Sequence, residues 1–67
     1  MKKHYKVTFE HSEGAFGKIF CTNIAIAESA EAVEAHYSEY PWVSVTESPD
    51  WEVESYRMKG CPFITVD

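Results

Sequence analysis

Apolar and polar side chains alternate along residues 3–11, KHYKVTFEH. Tyr5, Val7 and Phe9 fall on one side, and His4, Lys6, Thr8 and Glu10 on the other. This period of two predicts a half-buried strand. Two glycines in Ser12–Gly17, SEGAFG, predict a hairpin loop. Lys18–Ala27 predicts a second strand. Phe20, Thr22, Ile24 and Ile26 share one of its faces, and Ile19, Cys21, Asn23 and Ala25 the other. Both faces are fairly apolar, which places this strand inside a sheet rather than at its edge.

The period then changes. Within Ala27–Tyr40, Ala30, Val33, Tyr37 and Tyr40 form one stripe of a 3.6-residue helix, while Glu31, Glu34 and Ser38 fall away from it. Ser29 suits the N-cap, Glu28 and Glu31 suit the positive end of the helix dipole, and Pro41 marks the stop. Trp42–Glu47 predicts a third strand, with Val43 and Val45 inward. Two readings compete for SPDWEVESYRMKG. As a helix over residues 49–59 it has Ser48 as N-cap, Pro49 at the first position, Lys59 in the last turn and Gly60 as stop. As a strand it opens with a turn over Ser48–Trp51 and then alternates. The apolar residues do not decide, since Trp51 and Met58 share one helical side and Val53 and Tyr56 lie opposite. The helix is favoured because both its ends are signalled. Cys61–Val66 predicts a last strand, with Pro62 at its start or on a sheet edge. The resulting expectation is one α+β domain over residues 1–67, an antiparallel-rich sheet in the order β-β-α-β-α-β with helices packed on one face.

Composition narrows the classes. At 45% hydrophobic the chain is too apolar to be disordered. Eleven acids against six bases give a net charge of −5, which disfavours general binding to a phosphate backbone and suits a basic protein partner. Two cysteines are too few for a disulfide scaffold. With no signal-peptide pattern and no long apolar run, a cytoplasmic location with free thiols and no membrane is expected. A domain this small buries a modest core. Ten aromatic residues exceed what one helix-on-sheet layer readily encloses, so a homo-oligomer is expected. It would pair through a sheet face bearing Ile19, Cys21 and Ala25, or through the strand edge Phe63–Val66.

Candidate chemistry is sparse. His4, His11 and His36 have no chelating spacing, so no metal site or resident cofactor is expected. GAFG is not a phosphate loop. Glu10, His11 and Glu13 gather where the first strand meets its loop. Carboxylates beside an imidazole can hold Mg²⁺ and activate water for phosphodiester cleavage, making these three the catalytic candidates. Loops are polar in any case, and Lys18 is the base nearest in sequence.

NIAIAESAEAVEAHY and YPWVSVTESPDWEVESYRMKGCPFI resemble small proteins carried by phages and conjugative elements of gut clostridia. The likeness covers most of the chain after Asn23 and contains no catalytic motif. It implies a mobile-element product, a group that includes anti-CRISPR inhibitors and some small inhibitors that nick DNA. The leading expectation is a non-enzymatic, acidic interaction protein that inhibits a host nuclease or CRISPR effector, with Glu28, Glu31 and Glu34 standing in for phosphates on a basic surface. The alternative is an oligomeric DNA-binding or DNA-nicking enzyme. It would use Glu10, His11 and Glu13 with Mg²⁺, and contact phosphate through Lys6 and Lys18. A structural or regulatory protein without its own chemistry is a third reading.

Overall fold

A computed structural model describes residues 1–14 and 17–66, with the side chains of all of these except residues 11–14. The elements are β1 (Lys3–Gly14), β2 (Gly17–Ala27), α1 (Ala30–His36), β3 (Val43–Glu47), α2 (Asp50–Met58) and β4 (Phe63–Thr65). They form a four-stranded mixed sheet in the order β3-β1-β2-β4. β1 pairs antiparallel with β2 and β3, and β4 adds parallel to β2 over Ile24–Ile26. The α+β class and the element order are as expected, and β2 is internal.

Three boundaries differ from the sequence pattern. Pairing in the hairpin continues to Gly14 opposite Gly17, although the pattern gave Ser12–Gly17 to a loop. The register slips by one residue between Glu10 and Ser12, so His11 is the extra residue of a β-bulge. Gly17, at φ 113°, takes a conformation that a side chain would strain. The first helix is shorter than Ala27–Tyr40. Ala27 belongs to β2 opposite Lys3, and the Ala32 N–H donates to Ser29 Oγ at 3.2 Å, which fixes the start. Its end comes before Pro41, where Ser38 N–H donates to the Ala35 carbonyl and Tyr40 N–H to that of Tyr37, tighter turns than an α-helix.

The segment after Pro49 is helical. Pro49 rather than Ser48 is the N-cap, and Ser48 Oγ donates instead to Glu52 Oε1 at 2.7 Å. At the other end, Gly60 at φ 79° donates to the Arg57 carbonyl, and Cys61 donates to that of Tyr56. This pair of bonds is a Schellman stop, which needs the left-handed conformation that glycine supplies.

The helices lie on opposite faces, which corrects the expectation that both pack on one. Tyr5, Val7, Phe9, Ala25 and Ala27 cluster with Val33 and Tyr37, so α1 covers that face. Lys6 and Ile24 alternate to the other face. There Lys6 Nζ lies 4.0 Å from Glu52, and the Arg57 guanidinium lies 5.2 Å from the Phe63 ring centroid, so α2 occupies this side. Val53, at 4% exposure, is its buried residue. Topology supplies the reason. β2, β3 and β4 are parallel to one another, the connection through α1 crosses the sheet one way, and the connection through α2 crosses it back. Crossovers of one hand that run in opposite directions put their helices on opposite faces.

Candidate functional site

The sequence singled out Glu10, His11 and Glu13. The last two side chains lie outside the described residues. Glu10 is described, and its surroundings are unusual for a carboxylate. β1 is flanked on both sides at this level: Phe20 of β2 is the register partner of Glu10, and the Glu10 N–H donates to the Trp42 carbonyl at 2.9 Å. Phe9, Cys21 and Val43 point to the α1 face, so Glu10, Phe20 and Trp42 share the other face as one row across three strands.

The two outer backbones of such a row stand about 10 Å apart, twice the inter-strand spacing. The Phe20 and Trp42 ring centroids are 5.6 Å apart with their planes at 90°. Both rings therefore lean inward over β1, above Glu10. At this level Glu10 is only 7% exposed, while Phe20 and Trp42 remain 54% and 48% exposed. Lys18 Nζ lies 3.9 Å from Glu10 Oε1, on a side chain that is itself 66% exposed. A carboxylate withdrawn from water is costly unless a cation or hydrogen-bond donors compensate it. Beside the row, Thr8 and Thr22 line the same face with their hydroxyls 3.3 Å apart.

The structure places the acidic residues of the first helix elsewhere. Glu28, Glu31 and Glu34 are all exposed: Glu31 and Glu34 lie on α1, and Glu28 lies in the chain just before its N-cap Ser29. Glu10, Glu47, Glu52 and Glu54 each lie within 4.0 Å of a lysine or arginine. Among the described residues, none of Glu28, Glu31 and Glu34 has such a partner. Lys6 and Lys18, the expected phosphate contacts of the nicking alternative, lie beside Glu52 and Glu10.

Two groups have perturbed acidity. Burial pushes the Tyr37 phenol up, against a lowering by the Asn23 amide, whose Nδ2 donates to Tyr37 Oη at 3.0 Å. Burial likewise pushes the Cys61 thiol up. Its Sγ donates to the Thr22 carbonyl at 3.1 Å, so the thiol is held in its protonated form, the opposite of an activated nucleophile. Cys21 packs against the core beneath α1. Among the described residues no three histidine, cysteine or acidic side chains gather as a metal cluster, and no helix is long and apolar enough to cross a membrane.

The ring-covered row was missed at the sequence level. Its residues come from three strands, and only the register of β1 with both neighbours unites them. The available signal was that Glu10 already sat on the face of its strand opposite Tyr5, Val7 and Phe9; β2, apolar on both faces, gave no such signal for Phe20. Comparisons with family models, with curated proteins and with solved structures found no match.

Proposed function

We propose that this chain is an acidic interaction protein that docks on a basic protein surface, of the kind that a nuclease or CRISPR effector uses to hold nucleic acid. The observation that supports this reading is the exposed trio of Glu28, just ahead of α1, and Glu31 and Glu34 on it, without lysine or arginine partners among the described residues, in a chain of net charge −5. Glu31 and Glu34 lie on neighbouring turns of α1 with Glu28 just ahead of it, and a partner's lysines and arginines can meet them as they would meet successive phosphates. Such contacts raise the association rate and weaken as salt screens them.

The test is a binding panel of nucleases and CRISPR effectors with the protein immobilised, each with and without its nucleic acid. The expected result is capture of an effector that its own nucleic acid displaces and that salt weakens. A Glu31→Lys, Glu34→Lys variant is expected to lose that capture. Absence of capture across the panel, or equal capture by the charge-reversed variant, overturns the proposal.

A further inference from the structure

From the row Trp42–Glu10–Phe20, we infer a second contact point on the same protein: a receptor for one cationic side chain, an arginine of the partner. The inference rests on the reading of a basic partner and says which group that partner inserts and where. Three properties of the row meet in one place. Two aromatic rings stand at right angles, and about half of each remains open to solvent. A carboxylate lies beneath them at the middle of the row, its side chain 9% exposed. An ammonium already occupies its edge: Lys18 Nζ at 3.9 Å, on a mostly exposed side chain that can swing away.

Perpendicular ring faces over a carboxylate match the chemistry of a guanidinium. Its flat, weakly hydrated plane stacks on one ring while its N–H groups reach an acid. An anionic ligand would meet the Glu10 charge, and a purely apolar ligand would leave that carboxylate further from water without compensation. Lys18 acts as the resident competitor. Its ammonium satisfies Glu10 in the free protein and is displaced when the arginine enters. The half-buried threonine pair Thr8 and Thr22 lies next along the same face, where the partner's backbone would pass.

The experiment uses the ¹⁵N-labelled full chain titrated with a hexa-arginine peptide and, separately, a hexa-citrulline peptide of the same shape without charge. Trp42 and Trp51 give distinct indole N–H signals. Trp51, exposed on α2, is the internal control. The Trp42 indole is expected to shift saturably with hexa-arginine and not with hexa-citrulline, while Trp51 stays in place. Glu10→Gln, Phe20→Ala and Trp42→Ala are each expected to weaken binding about threefold to tenfold, the last read from the amides of the row. Lys18→Ala is expected to tighten it about twofold by removing the competitor. Having three weakening variants keeps the test decisive if one of them does not fold.

Equal shifts of both indoles, equal shifts with both peptides, or unchanged binding by folded Glu10→Gln overturns the inference. Shifts confined to the α1 amides overturn it while leaving the acidic-surface reading intact. Shifts in the row without shifts on α1 support it and overturn the role given to Glu28, Glu31 and Glu34. No shift anywhere overturns both.

Discussion

Phe9 and Phe20 lie on the two strands of one hairpin and face opposite ways, so truncating each to alanine measures what each face buries. Phe9 is 5% exposed, with ring centroids of Tyr37 and Tyr40 at 4.8 and 4.7 Å. Withdrawing such a ring from the core forfeits about 2–3 kcal/mol of transfer free energy, and the cavity and lost ring contacts bring the cost of Phe9→Ala to about 3–5 kcal/mol. A chain of 67 residues has a total stability of about 3–10 kcal/mol. Phe9→Ala is therefore expected to be marginally folded or unfolded at 25 °C. Phe20, more than half exposed, buries about half as much and loses one ring contact, so Phe20→Ala is expected to cost about 1 kcal/mol. Urea unfolding followed by far-ultraviolet circular dichroism gives both values from the midpoints. A Phe20→Ala loss as large as that of Phe9→Ala would refute the assignment of Phe20 to an open face.

Other consequences can be measured in the same way. Gly60→Ala is expected to destabilise by about 1 kcal/mol in urea unfolding, because a Cβ there meets open space and the cost is only that of a left-handed backbone; an unchanged midpoint would contradict the stop described for α2. Folding raises the Tyr37 phenol above its ordinary value of 10.0, so the unfolded chain loses this proton first. Stability is then expected to hold below pH 10 and to fall as pH rises from there through the folded value, with Tyr37→Phe abolishing that part of the fall. Among the described residues β3 and β4 form the outer edges of the sheet, whereas the alternative self-association face holds Ala25, fully buried beneath α1. Sedimentation at micromolar concentration is expected to show a dimer formed through an edge, and a single 7.7 kDa species stable to dilution would contradict it.

Local pattern carried a reader far into this fold and stopped at its tertiary steps. Alternation in KHYKVTFEH identified the inward set Tyr5, Val7 and Phe9, since a strand's side-chain period is fixed by its backbone. Ser29 and Gly60 marked a helix start and a helix stop, because caps and stops are set by the residues that make them, while the second start was read one residue early, at Ser48 instead of Pro49. α2 shows the limit. Its apolar residues lie on both sides, and the buried one is Val53, while the larger Trp51 and Met58 are 72% and 86% exposed. Side-chain size alone would have turned the helix over. The face each helix takes depends on where β3 and β4 land, at opposite edges of the sheet, and no local pattern encodes that. The acids of α1 were legible as an exposed set because they lie off its apolar stripe. Glu10 was legible as a candidate, but its ring cover was not.

That cover follows from a mismatch of lengths. β1, at twelve residues, sets a sheet about 40 Å long, in keeping with the 39 Å long axis of the molecule. α2, at nine residues, is about 14 Å long, and β4 stops the crossover beside Ile24–Ile26, so the helix serves only one end of its face. On the α1 face the shortfall is met by Tyr37 and Tyr40, which follow the helix and close over Phe9. Beyond Thr8 and Thr22 no such extension covers the α2 face among the described residues, and Phe20 and Trp42 lean together at the level of Glu10 instead. They shield the carboxylate but leave half of their own surface wet. Among the described residues neither helix reaches these rings, because β3 and β4 fix where each helix ends, and the proposed arginine receptor uses the surface left open. The charge beneath them is negative and already has Lys18 at its edge, which is why the occupant proposed for this surface is a cation.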